Sequence, residues 1–389
     1  MNLQKKILFI THYSSLHGAN LSLLELIIGL RETHRIDPIV LLPSKGRFIN
    51  DLEKNNIEYV IIKFRPWKWS WNKNRVLNSV KNYIFQEISV RKLSKCFKDA
   101  DIDIIHTNSS VTPIGVYLSK RISAKHVWHV REFGELDFAL KDIYTKSYNN
   151  KWLNHSDGII YISKAIKKHF KSIYDFKDPK DYVIYNGIDY SKFPEKPIRK
   201  NDGIFKFVCC AYNSEGKNQL ELLQAVNILK NKTSSLFTVT LVGGYSDAEG
   251  YREKLLKYTK DNNLETYISI LDYVENIASI YEKCDVGILC SKGEGFGRVV
   301  AEYMYFKMPA IVSNSGALPE LIDNKRNGFI YELGDIKALS SLMLWTLNNP
   351  DEVSKIGEKA KNKAIINYEI NRVVDQVHKV YTEILNRKK

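Results

Sequence analysis

The chain predicts an α/β fold of two Rossmann-like domains facing each other across a cleft, on three observations. Strand-like apolar runs alternate with helical patterns along its whole length, which implies βα units and parallel sheets. The alternation comes in two series, divided by a charged stretch with two prolines, Lys192-Phe193-Pro194-Glu195-Lys196-Pro197. The 389 residues are enough for two domains of ordinary size, each with its own core.

The first series runs through residues 7–10, 21–30, 38–42, 103–106, 125–130, 158–162 and 182–185. The second runs through 205–210, 237–242, 267–271, 285–290 and 310–312. These set the expected limits: a first domain over 1–193, a linker over 194–203 and a second domain over 204–364. Val373, Val374, Val377, Val380, Tyr381 and Ile384 then follow helical spacing. The sequence carries no internal repeat and no low-complexity tract.

The most informative stretch is Glu294-Gly295-Phe296-Gly297 followed by Arg298-Val299-Val300-Ala301-Glu302, two carboxylates with seven residues between them. Residues 286–290 read as a buried strand and 299–304 as the helix after it. The turn therefore lies at a strand's carboxyl end and a helix's amino end, where open α/β sheets bind ligands and free N–H groups favour a diphosphate. Gly295 and Gly297 let the backbone come close. Glu302, between one and two turns into the helix, can accept hydrogen bonds from ribose hydroxyls, while Glu294 at the mouth of the turn faces a sugar. The same pattern also fits a plain strand–turn–helix with two solvated glutamates.

These residues resemble the signature of the retaining glycosyltransferases of family four, which share the GT-B fold. Pro309-Ala310-Ile311-Val312 with Ser315-Gly316-Ala317-Leu318-Pro319-Glu320 resembles the family's next strand and loop, and Asn327-Gly328-Phe329 the turn after that. Tyr185-Asn186-Gly187-Ile188-Asp189 resembles the close of the first domain, and Gly18-Ala19 the family's glycine-rich loop. The resemblance implies a nucleotide-sugar donor held by Gly18, Lys217, Val274, Glu294, Gly295, Phe296, Gly297 and Glu302, with Glu294, Lys217 and His129 at the reacting centre. Lys217 would meet the diphosphate and His129 the donor sugar, and the backbone around Val274 would read the base. It also implies that the last segment, 365–389, crosses back to the first domain. Two departures stand out. Tyr212 occupies the place of a usual arginine, and Asp272 that of a usual glycine.

Charge development on the leaving diphosphate needs fixed cations, helix dipoles or a metal. The resemblance implies the first two, hence no metal and no cofactor. Asp101-Ile102-Asp103 matches the metal motif of another transferase fold, but it directly precedes an apolar run and reads as a strand start. The net charge of +14 and pI near 9.2 suit a protein that meets polyanions. Between Lys63 and Lys98 eight basic side chains face one acid, Glu87, and Trp67, Trp69 and Trp71 lie in that stretch. Such a mixture suits an anionic membrane surface or an acceptor-binding lip, or a loop that packs its indoles on the core.

Five cysteines without Cys-x-x-Cys spacing fit reduced, buried thiols. No apolar stretch approaches a membrane span, and the start is too short for a signal peptide, so the expected location is cytoplasmic, with a peripheral contact at the inner face of the cell membrane. The activity so implied is sugar transfer from a UDP-sugar, before a GDP-sugar, to a hydroxyl of a lipid-linked oligosaccharide in surface polysaccharide (O-antigen or capsule) synthesis. Two alternatives stand beside it, a GT-B nucleotide-sugar epimerase and a basic nucleic-acid-binding protein without enzymatic activity, although no motif that reads bases is present.

Overall fold

The computed structural model describes residues 4–15, 18–69, 75–177, 179–194, 203–245 and 250–387. They form two compact units, one of Met1–Gly187 with Ile370–Lys389 and the other of Ile188–Glu369. The first change of unit precedes the expected linker because residues 190–193 belong to the second unit. Tyr190 stacks on Tyr305 at 4.4 Å between ring centroids, and Phe193 meets Phe306 edge-on at 5.4 Å. The return falls at 370 rather than 365 because the helix Pro350–Tyr368 continues to its end, and Glu369 is extended.

The first unit contains strands β1 (Lys6–Ile10), β2 (Asp37–Leu42), β3 (Glu58–Ile61), β4 (Lys68–Trp69), β5 (Ile104–Thr107), β6 (Lys125–Val130), β7 (Lys141–Asp142), β8 (Gly158–Tyr161) and β9 (Lys180–Val183). Seven of them build a sheet in the order β3-β2-β1-β5-β6-β8-β9, while β4 and β7 pair separately as an antiparallel ribbon. Every pairing in the seven-stranded sheet is parallel. β5 and β8 are buried along their whole length, as expected of apolar runs covered on both faces.

Three aspartates anchor strand starts in the same way. Asp103, Asp157 and Asp285 accept the backbone N–H of Lys6, His126 and Lys206 at 2.9, 2.8 and 2.7 Å. Asp103 also binds Lys5 at 2.9 Å, so the carboxylate of the Asp-x-Asp motif closest to the sheet serves the strand ends.

The helix Ile370–Asn386 buries Val373, Val374, Val377, Val380, Tyr381 and Ile384 and packs on the helix Gly18–His34. The approach is close enough that a Cβ on Gly29 would lie 2.5 Å from Val374 Cγ2.

The second unit holds β10 (Phe205–Cys210), β11 (Phe237–Val242), β12 (Ile268–Leu271), β13 (Val286–Leu289), β14 (Ala310–Ser313) and β15 (Gly328–Tyr331). Their parallel order is β12-β11-β10-β13-β14-β15. In each sheet the chain steps from its first strand out to one edge, β3 or β12, before it returns to the other side, so the order reverses at β1/β5 and at β10/β13. Ligand crevices form at such reversals, beyond the carboxyl ends of the strands.

No described helix is long and apolar enough to cross a membrane. None of the five cysteines forms a disulfide; Cys96 is exposed rather than buried, because it ends an outer helix.

Candidate active site

The reversal point of the second unit gathers the residues that the motifs singled out. The loop after β10 carries Lys217 just ahead of the helix Gln219–Leu229, and the loop after β13 carries Glu294. Lys217 Nζ donates to Glu294 Oε2 at 2.6 Å, with the two side chains 29% and 18% exposed. The loops are also tied through their backbones, Lys292 N–H donating to the carbonyl of Gly216 at 2.8 Å. Tyr212, on the same loop as Lys217, is exposed.

Glycines shape the turn itself. Gly297 precedes the helix Arg298–Tyr305 with φ +90°, a conformation that side chains disfavour. Gly316, at φ +58°, lies so close beneath Glu294 that a Cβ would sit 2.4 Å from its carbonyl oxygen and 2.6 Å from its nitrogen. The N–H of Ala317 donates to that same carbonyl at 2.8 Å. The backbone of Glu294 is thus clamped from below while its carboxylate stays partly open. The Phe296 ring is buried against Tyr368 at 5.4 Å, so it anchors the turn and leaves its backbone at the mouth.

Glu302 is buried and bonded at both oxygens. Arg298 Nε donates to Oε1 at 3.0 Å, and the Tyr281 hydroxyl donates to Oε2 at 3.1 Å. Sequence reasoning named neither partner. Arg298 was legible as an i, i+4 pair at the helix start, whereas Tyr281 comes from another element and left no local sign. Val274 is half-buried and follows the carboxyl end of β12, the edge strand. Beside it Asp272 is exposed and paired with Arg252 at 2.5 Å.

In the first unit Gly18 begins its helix beyond β1, at that sheet's reversal point, with open space where a Cβ would stand. His129 lies near the carboxyl end of β6 and is 2% exposed. It belongs to a chain of hydrogen bonds whose directions can be worked out. Arg131 Nη2 has only protons to give and donates to His129 Nδ1 at 3.3 Å. Nδ1 is therefore an acceptor, and His106 Nε2, 3.2 Å away, donates to it. His106 Nδ1 in turn accepts from the Tyr381 hydroxyl at 2.7 Å.

His129 must then carry its proton on Nε2, a buried atom that has no hydrogen-bond partner among the described residues. Burial first, then the Arg131 charge, push both rings well below the usual histidine range, so both are neutral. Arg131 Nη1 also donates to Asn186 Oδ1 at 2.6 Å, and Arg131 Nε to Asn108 Oδ1.

For Trp67 the structure favours the core-packing alternative over a membrane or acceptor contact. Trp67 is 1% exposed, packs edge-on against Trp128 at 5.2 Å and donates its indole N–H to the Ser110 carbonyl at 2.7 Å, so it is core and not a surface contact. Lys68 is likewise buried, and burial lowers its pKa despite the nearby Asp142, Glu132 and Asp137. The Trp69 side chain and Trp71 lie outside the described residues.

Comparison with known proteins gives the family. The family model "Glycosyl transferases group 1" matches residues 192–363, and the model "Glycosyltransferase Family 4" matches 16–192. An uncharacterized glycosyltransferase of Methanocaldococcus jannaschii is 26% identical over 85% of this chain and 91% of its own length. The Escherichia coli UDP-Gal:alpha-D-GlcNAc-diphosphoundecaprenol alpha-1,3-galactosyltransferase is 27% identical over 77% of this chain and 80% of its own. Among solved structures, a glycosyltransferase from Rickettsia africae superposes with a TM-score of 0.82 at 20% identity, covering 99% of this chain and all of that one. The Anabaena protein HepE in complex with UDP gives 0.81 at 20% identity, covering 97% of this chain and all of HepE. With both halves matched in order, the motif turn at the sheet's reversal point and GT-B enzymes as its structural neighbours, this chain belongs to glycosyltransferase family four.

Proposed function

We propose that this glycosyltransferase moves a sugar, with retention of configuration, from a UDP-sugar to a hydroxyl of a polyprenyl-linked oligosaccharide in surface polysaccharide synthesis. The observation that carries the reading is the Lys217–Glu294 pair, set beside the amino end of the helix Arg298–Tyr305 at the reversal point of the second sheet. Lys217 and the backbone of Gly295, Phe296 and Gly297 hold the diphosphate, without a metal. Glu294 meets the donor sugar, Glu302 the ribose, and the backbone around Val274 the base. In the first unit Gly18 gives the donor room at the end of β1.

The unpartnered Nε2 proton of His129 supports its role as a donor to a sugar hydroxyl. In the transfer the acceptor oxygen bonds to the anomeric carbon on the face from which the diphosphate leaves, and its proton passes to the departing phosphate oxygen.

UDP is preferred here to GDP because the E. coli relative is named for UDP-Gal and HepE was solved with UDP and with UDP-glucose. The lipid-linked acceptor follows the name of the same E. coli relative, and it sets the reaction at the cytoplasmic face of a membrane.

The test is a thermal-shift screen against UDP- and GDP-sugars, since a ligand that binds only the folded state raises apparent stability. The donor so found is then assayed with undecaprenyl-linked saccharides, with and without EDTA. A UDP-sugar shift, transfer that survives EDTA and an α-linked product from an α-linked donor are expected. Turnover of the donor without acceptor would favour the epimerase, and activity lost to EDTA and restored by manganese would refute the metal-free site.

A further inference from the structure

Over residues 80–89 the helix Arg75–Cys96 turns polar side chains inward, while further on Val90 and Leu93 are buried in the ordinary way. Asn82, Gln86 and Ser89 are buried on its inner face and donate to the carbonyls of Pro66, Arg65 and Lys63, at 2.8 Å for both Asn82 and Ser89. The polar side chains thus bind the tryptophan-bearing segment beneath the helix. Val80, Tyr83, Ile84 and Ile88 point the other way, 55%, 47%, 54% and 50% exposed. Their spacing of three to four residues makes one continuous stripe. Single exposed apolar side chains are ordinary, but a stripe of four on a helix facing water marks an interaction surface.

The charges around the stripe say what it meets. Exposed Lys81 flanks it, and exposed Arg91, Lys92 and Lys95 continue it by a further turn. The one acid on this face, Glu87, is already held by Arg121 at 2.6 Å. An apolar stripe bordered by cations is the pattern of a helix lying in the plane of a membrane interface, its apolar side chains at the headgroup boundary and its cations on anionic lipid.

We propose that the outer face of the helix Arg75–Cys96 docks on an anionic lipid bilayer through Val80, Tyr83, Ile84 and Ile88, with Lys81, Arg91, Lys92 and Lys95 on the headgroups. This moves the membrane contact from Trp67, which is core, to the helix after it. The assignment rests on the proposed function only for the lipid-linked acceptor that would bring the enzyme to a membrane.

Co-sedimentation with phosphatidylcholine vesicles, with and without phosphatidylglycerol, tests it on the full chain, alongside UDP titration of the same samples. The wild type should bind the phosphatidylglycerol vesicles in a salt-sensitive way. Ile84→Glu with Ile88→Glu should weaken that binding at least roughly tenfold, and each of Lys81, Arg91, Lys92 and Lys95 changed to Gln should weaken it about fivefold. UDP affinity should not change in any of them.

Equal vesicle binding by the double variant would overturn the proposal, as would absence of wild-type binding. A wild-type dimer that the double variant splits, with no vesicle binding, would reassign the face to contact between copies. Failure to bind UDP with vesicle binding intact would count against the donor reading alone.

Discussion

The two halves of the Lys217–Glu294 pair should move UDP affinity in opposite directions. The ammonium is held by Glu294 at 2.6 Å, so a diphosphate must draw it away. The two side chains are 29% and 18% exposed, which limits what the pair contributes to about 1 kcal/mol. Glu294→Gln weakens this competitor to a neutral hydrogen bond, and UDP should bind up to about fivefold more tightly. Lys217→Ala removes a charge-assisted hydrogen bond to phosphate of about 1.5–3 kcal/mol, so UDP should bind roughly tenfold to a hundredfold more weakly. Sugar transfer should fall in both, by about a hundredfold to a thousandfold for Lys217→Ala, because the charge it meets is largest in the transition state. Calorimetric titration of UDP at two salt concentrations reads the affinities, and melting curves check that the fold persists. Weaker UDP binding by Glu294→Gln, or unchanged binding by Lys217→Ala, would refute the reasoning.

Glu302→Ala should weaken UDP binding more than it slows the bound complex, since ribose contacts are alike in ground and transition states. Because it also strips buried partners from Arg298 and Tyr281, it should cost about 1–3 kcal/mol of stability in urea denaturation. Gly316→Ala should displace the backbone of Glu294, lowering turnover at least roughly tenfold with a loss of about 1–3 kcal/mol. The control is Gly334→Ala, also at positive φ but with open space around its Cβ, which should be destabilised by backbone strain alone and keep its turnover. Stability should fall with pH below about 6.5, the ordinary histidine value. His106, His126 and His129 are buried and neutral when folded, His126 with its pKa lowered to about 3, so the unfolded chain takes up protons that the folded one refuses. The slope should approach about 1.4 kcal/mol per pH unit for each histidine at low pH and fade toward pH 8, as read from denaturation midpoints across pH 5 to 8.

What could be read from the sequence was local, and what could not depended on partners distant in the chain. Apolar runs covered on both faces identify β1, β5, β10 and β13, and the glycine-flanked turn at Glu294 follows one of them directly. The pairing of Lys217 with Glu294 joins loops 77 residues apart, yet it follows once both loops are placed at the same reversal of strand order. The tautomer of His129 does not follow from its neighbours in the chain alone. It needs Arg131 and His106 beside it and Tyr381 from the last helix, 275 residues beyond His106.

The basic stretch shows how composition misleads when the inward side of a helix is unknown. Val80, Tyr83, Ile84 and Ile88 have the spacing that ordinarily marks a buried stripe, while Trp67 has the chemistry that ordinarily marks an interface. The structure exchanges the two, because Asn82, Gln86 and Ser89 can satisfy the otherwise open carbonyls of residues 63–66, and no apolar side chain could. Satisfying buried backbone thus turns the apolar stripe outward.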